Sequence, residues 1–152
     1  MPSPFPLPDP MHRALDLARA AGKAGEVPIG AVVTRDGRII GEGENRNRRD
    51  HDPTAHAEIV ALRAAAAQLG DFRLTGCDLW VTLEPCPMCA GAISHARIAR
   101  LYYAVSDPKG GAIEQGPRLF SQPQCLHRPE VYGGLAEAEG SALLRDFFAA
   151  RR

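Results

Sequence analysis

Asp78-Leu-Trp-Val-Thr82 is a β-rich run, Cys86-Pro-Met-Cys89 opens a helical stretch continuing to about Arg97, and Arg100-Leu-Tyr-Tyr-Ala-Val105 is a second β-rich run. Strands alternating with helices predict an α/β layered domain with parallel strand neighbours. The flanking chain extends the pattern. Pro28-Ile-Gly-Ala-Val-Val33 and Arg38-Ile-Ile40 flank Asp36-Gly37, a strong hairpin signal, so the sheet is expected to be mixed. Between hairpin and strand, the alanine-rich run from Ala55 to Leu69 predicts a helix. Asp52-Pro53-Thr54 supplies start chemistry and Gly70 the stop. Met11, Ala14, Leu15, Ala18 and Ala21 have helical spacing over 11–24, ended by Gly22 and Gly25. Beyond Val105, residues 106–130 read as irregular. A short strand is expected near Val131 and a last helix from about Leu135 to Ala150.

Composition narrows the classes. A chain of 152 residues, 45% hydrophobic and 24% charged, has room for one core and excludes disorder of the whole. No apolar run approaches the roughly 18 residues of a membrane span. Lys+Arg and Asp+Glu are each 18, so overall charge does not suggest a strongly basic nucleic-acid binder. Residues 1–10 hold five of the thirteen prolines and are expected to form a disordered or polyproline-like tail before a single domain over 11–152. They do not read as a signal peptide, so the cytoplasm is the expected compartment. Thiols there stay reduced, which favours metal binding or catalysis over a disulfide for a close cysteine pair.

The candidate chemistry sits at two helix starts, His56-Ala57-Glu58 and Cys86-Pro-Met-Cys89. Cysteines three apart share a helix face, so both sulfurs can reach one ion. His56 would be a third ligand, and three protein ligands with an open fourth position are the pattern of catalytic zinc. Glu58 is then a proton shuttle. Mid-helix, residues two apart point in nearly opposite directions; at a first turn both can face one pocket. A lone C-x-x-C also occurs as half a structural zinc site or as a redox pair; here no Trp-Cys or βαβ opening precedes Cys86, which disfavours a thioredoxin-like redox motif. Cys77 and Cys125 read as buried or bystander thiols. Arg46, Arg48 and Arg49 read either as a solvated loop or as phosphate contacts.

His56-x-Glu58 with Pro85-Cys86-x-x-Cys89 matches the zinc nucleobase-deaminase signature. Asp52-Pro-Thr-Ala-His-Ala-Glu-Ile59 and Thr82-Leu-Glu-Pro-Cys-Pro-Met-Cys-Ala-Gly-Ala-Ile93 resemble the bacterial tRNA-specific adenosine deaminases. So do Glu26-Val-Pro-Ile-Gly-Ala31, Ala96-Arg-Ile98, Asp107-Pro-Lys-Gly-Gly-Ala112 and Leu143-Leu-Arg-Asp-Phe-Phe148. The resemblance spans roughly residues 11–152. It implies a cytidine deaminase-like fold, three layers α/β/α around a mixed five-stranded sheet. It implies one Zn2+ per subunit on His56, Cys86 and Cys89, with zinc hydroxide attacking C6 of adenine and Glu58 shuttling protons. It further implies that the product is inosine at the wobble position of an arginine tRNA anticodon and that the protein is a homodimer. Substrate contacts implied by the same resemblance are Asn45 with the nucleoside, and Val27 and Pro28 lining the base pocket. It also implies the backbone amide of Ala57 near the attacking group, Asp107 at the anticodon backbone or ribose, and Arg145 and Phe148 at flanking nucleotides. Asn45 could instead cap a turn, and Asp107 could serve its own turn with Pro108. At least one of Phe147 and Phe148 is expected to pack in the core. Two other readings are carried: a free-base or nucleoside deaminase of the same fold, acting on guanine or cytosine, and a zinc-stabilised binding module without catalysis.

Overall fold

A computed structural model describes residues 6–151 of the chain. Its elements are α1 (Asp9–Lys23), β1 (Gly30–Arg35), β2 (Arg38–Glu44), α2 (Ala57–Leu69), β3 (Asp78–Leu83), α3 (Pro87–His95), β4 (Arg100–Val105), β5 (Glu130–Tyr132) and α4 (Glu137–Ala149). The sheet order is β2-β1-β3-β4-β5. β1 pairs antiparallel with β2 and with β3, whereas β3–β4 and β4–β5 are parallel. The expected mixed five-stranded sheet is therefore present, with its parallel half built on the β3–α3–β4 unit.

Alternation along the strands makes the layers. Val32, Trp80 and Ala104 point to one face, where they pack with Met11, Leu15 and Leu17 of α1, and Leu143 of α4 joins them. Ala31, Val33, Leu79, Val81 and Leu101 point to the other face, beneath Ala61, Leu62 and Ala65 of α2 and Ala90 and Ile93 of α3. Trp80, Tyr102 and Tyr132 are register partners and stack across three strands, with ring centroids 3.9 and 5.1 Å apart.

The Asp36-Gly37 hairpin is as expected: both residues have positive φ, 51° and 76°, the pairing a tight two-residue turn demands. Helix boundaries differ from expectation. Asp9 and Pro10, assigned to the tail, are the first residues of α1; Met1–Phe5 of that tail lie outside the described residues. Proline is tolerated in a first helical turn, where its missing N–H has no intrahelical partner to lose. α2 begins at Ala57 rather than Ala55, because the Asp52 carboxylate binds the Thr54 amide (2.8 Å) and hydroxyl (2.7 Å) in a turn of its own. α3 stops at His95, short of Arg97, which has φ 64°.

The helix carrying His56 and Glu58 lies directly on β2. A Cβ built at Gly43 would stand 2.3 Å from the Ala57 carbonyl oxygen and 2.6 Å from the Ala61 nitrogen. Both are backbone atoms of α2, so the helix itself must move. Gly43→Ala is expected to cost about 1–3 kcal/mol and to lower the melting temperature by several degrees, on the order of 5 °C. A thermal melt of the variant within a degree of wild type would show that α2 has more slack than this contact implies.

Candidate active site

His56 and Cys86 are the residues immediately before α2 and α3. Both have extended backbone, with φ/ψ of −71°/154° and −74°/173°. That removes the helical objection to His56 and Glu58 sharing a pocket. His56 departs from the chain before the helix begins, while Glu58 lies in the first turn. Cys89, in the first turn of α3, is fully buried, and Glu58 is 4% exposed.

The imidazole Nδ1 of His56 lies 3.6 Å from Cys86 Sγ and 3.5 Å from Cys89 Sγ. Their ligand atoms all fall within 4.8 Å of one another. Zinc bonds of about 2.3 Å to sulfur and 2.0–2.1 Å to nitrogen, at a tetrahedral angle, set N and S roughly 3.6 Å apart. The spacing and the donor set fit one zinc ion. A fourth group supplied by the described residues is absent from the cluster, as a catalytic rather than a structural site requires.

The electrostatics fit as well. The hydrogen bond from the Cys89 thiol, helped by His56, pulls Cys86 down to about 4 against the cost of burial. The neighbouring Cys86 sulfur and burial push Cys89 up. His56 is raised, chiefly by its bond to Cys86. Metal binding releases the protons that thiol ligands carry. Burial pushes Glu58 up to about 7, with the Cys86 charge adding to the shift and His56 opposing it. A carboxyl group near neutrality beside a metal site is poised for proton transfer.

Asn45 is buried, and its side-chain Oδ1 accepts a hydrogen bond from the Ala57 amide at 2.9 Å. It therefore caps α2 and stands at the site. This also revises the expectation for Ala57, whose N–H is spent on Asn45 and not directed at an attacking group. With Oδ1 committed, the Asn45 Nδ2 group is what can face a substrate.

An open cavity of about 810 Å3 lies at the C-terminal ends of β3 and β4, its walls including Val27, Leu83, Val105, Asp107, Leu144 and Phe148. Val27, Asp107 and Phe148 thus share one cavity, whose lining includes none of His56, Glu58, Cys86, Cys89 and Asn45. Pro28 is buried beside Gly22 and does not line this cavity, and Arg145 is exposed outside it. On α4 the lining positions are one turn apart, Leu144 and Phe148, followed by Arg151; position 145 points away. Phe147 is the core member of the aromatic pair, with Phe148 against it edge-on at 5.4 Å. Lys109 and Arg151, which sequence reasoning did not select, put positive charge on the cavity wall. Of the Arg46–Arg49 run, Arg46 pairs with Asp50 and Arg49 with Glu26 and Glu44, which leaves Arg48 as its exposed unpaired cation among the described residues.

Two further buried carboxylates escaped sequence reasoning. Glu26 accepts from the amides of Arg48 (3.1 Å) and Arg49 (2.9 Å), in the loop that carries Asn45. Glu84 accepts from amides of the loop that carries Asp107. Burial acts to raise both, yet these N–H groups hold each below the ordinary carboxylate range. Asp107 itself uses Oδ1 on the amides of Lys109 and Gly110, both at 3.1 Å, so it does serve its own turn. Cys77 lies in the core, and Cys125 is half-buried near Ser94, away from the metal-ligand group.

Residues 8–105 match the family described as the cytidine and deoxycytidylate deaminase zinc-binding region. The chain is 59% identical over 142 residues to a tRNA-specific adenosine deaminase of Agrobacterium fabrum, covering 93% of each. It also superimposes on a solved structure from work on A-to-I editing by tRNA:A34 deaminases at the wobble position of transfer RNA. That match has a TM-score of 0.89 and 59% identity, covering 90% of this chain and 99% of the other. A guanine deaminase of Bacillus subtilis is more distant, with a TM-score of 0.65 and 36% identity over 94% of this chain and 92% of that one.

Proposed function

This chain belongs to the tRNA-specific adenosine deaminases, and from that premise we propose that it converts adenosine to inosine at the wobble position of an arginine tRNA anticodon by hydrolysis. The observation that carries the reading is the His56, Cys86 and Cys89 group with Glu58 buried beside it. Zinc bound by those three residues supplies Lewis-acid activation of water at neutral pH.

The rest is the work of the chain. Glu58 takes the first proton from water and delivers it to N1 of the ring, where inosine retains it; it then carries the second, from the new hydroxyl on C6, to the amino group, which leaves as ammonia as the C6–N bond breaks. Glu58 is 4% exposed, which limits its contact with bulk solvent. Asn45, held through Oδ1 by Ala57, presents Nδ2 as a hydrogen-bond donor to the nucleoside. Val27 and Phe148 give the cavity apolar walls against which bases can pack, while Lys109 and Arg151 attract the RNA backbone. A neutral protein can bind RNA this way, because local charge at the rim is what matters. As the resemblance implies, the working form is a homodimer carrying one zinc per subunit, and the cytoplasm is its expected compartment. No helix among the described residues is long and apolar enough to cross a membrane.

The free-base alternative is less well supported, since the match to the guanine deaminase is lower in both identity and TM-score. Purified zinc-loaded protein should form inosine in an arginine anticodon stem-loop and release no ammonia from free guanine or cytosine. Ammonia from guanine with an unchanged stem-loop would overturn the assignment.

A further inference from the structure

We infer that Glu84 is a positioning residue for substrate binding: its buried carboxylate fixes both ends of the Ser106–Gln115 loop, and through that loop the wall of the cavity that receives the RNA. The inference rests on the proposed tRNA activity. Glu84 lies between β3 and the first zinc-site cysteine, and it is 2% exposed. Its own amide donates to the Val105 carbonyl at 2.8 Å, which sets the residue level with the end of β4.

The two oxygens divide the loop between them. Oε1 accepts from the Ser106 hydroxyl (3.2 Å) and the Asp107 amide (3.0 Å). Oε2 accepts from the amides of Ile113 (3.0 Å), Glu114 (2.8 Å) and Gln115 (3.0 Å). The segment suspended between these anchors holds Asp107, Lys109 and Gly110, all of which line the cavity. Other contacts close the same loop. The Gln115 side chain donates to the Ser106 hydroxyl, and Tyr103 of β4 donates its hydroxyl to the Glu114 carboxylate. Gly111 passes so close to the anchor that a Cβ there would stand 2.6 Å from Glu84 Cδ.

Only a carboxylate suits this position. It is acceptor on both oxygens, and every partner named here is a donor. Glutamine can satisfy one end of the loop, but its NH2 group then faces the N–H groups of the other end. Aspartate is one methylene too short to meet both. Neither change touches a zinc ligand or Glu58, so the consequence should fall on substrate binding and leave the chemical step alone.

The test is steady-state kinetics of zinc-loaded Glu84→Gln on the anticodon stem-loop, with zinc content and amide hydrogen exchange measured on the same preparations. We expect KM to rise about tenfold or more, as buried donors lose their acceptor. We expect kcat to stay within about threefold of wild type, the signature of lost binding common to ground and transition states. Zinc should remain near one per chain. The Ile113, Glu114 and Gln115 amides should exchange faster in the variant, while those of α2 and β3 keep their protection. A fall in kcat at unchanged KM would mean a merely structural role and would overturn the inference. So would rapid exchange of the same three amides in the wild-type holoenzyme, a measurement that needs no variant to fold. A wild-type enzyme inactive on the stem-loop would instead strike at the proposed function and leave the loop measurement standing.

Discussion

Glu58→Gln is expected to retain zinc and fold and to lose turnover on the anticodon stem-loop by about 10²–10⁴-fold, the usual contribution of a positioned acid–base group. Glutamine has nearly the same shape as glutamate and cannot carry the proton. Glu58 is not among the three residues whose atoms cluster at ligand distance, so metal content should not follow activity down. The two quantities are read from inosine formation and from elemental analysis of the same sample. Turnover within tenfold of wild type would remove Glu58 from the mechanism.

The same substitution makes a separate statement about stability in the metal-free protein. Burial raises the Glu58 carboxyl from 4.5 to about 7. Between those two values the folded chain binds more protons at this group than the unfolded chain does. Stability of wild type therefore falls as pH rises through this window, and the loss is complete above pH 7. At about 1.4 kcal/mol per pH unit, it amounts to roughly 3 kcal/mol. Chelated Glu58→Gln carries no such penalty. Urea melts should place the two proteins together near pH 4 and the variant well above wild type at pH 8. Equal midpoints at pH 8 would mean that the carboxylate is far better solvated than its burial indicates.

The parts of this molecule legible in sequence are those encoded within a few residues. Cys86 and Cys89 declare a shared helix face by their spacing, and Asp36-Gly37 declares its turn because few other pairs accept two positive φ values in succession. The β3–α3–β4 unit follows from two β-rich runs around a short helix. What was hidden depends on partners far apart in the chain. Nothing near Glu84 marks it as the anchor of amides 23 to 31 positions later. The Ala57 amide is occupied by Asn45, 12 residues earlier, a pairing that nothing in the local sequence announces. Which face of α4 lines the cavity, that of Leu144 and Phe148, depends on how the helix docks on the sheet. The arginine run illustrates the same limit for charge. Arg46 and Arg49 are cationic in the sequence and are neutralised in the fold by Asp50, Glu26 and Glu44.

Loss of a zinc ligand should be more severe than loss of Glu58. His56→Ala, Cys86→Ala and Cys89→Ala each leave two protein donors where three converge within 4.8 Å. Two donors cannot close a tetrahedral site without recruiting water for both remaining positions, and affinity falls accordingly. Each variant should show zinc well below one per chain and turnover at background. Without the metal, the pKa of the reacting water rises far above neutrality, and hydroxide becomes scarce at neutral pH. The three variants should not be equivalent in stability. In the metal-free protein Cys86 carries the charge that Cys89 and His56 hydrogen-bond, so Cys86→Ala removes the acceptor of both. Cys89→Ala removes a fully buried side chain and leaves the Cys86–His56 contact in place. Chelation of wild type followed by zinc addition separates metal loss from misfolding. Activity should disappear with the chelator and return with zinc in wild type, and should not return in any of the three variants. Full zinc occupancy with retained turnover in any one of them would exclude that residue from the site.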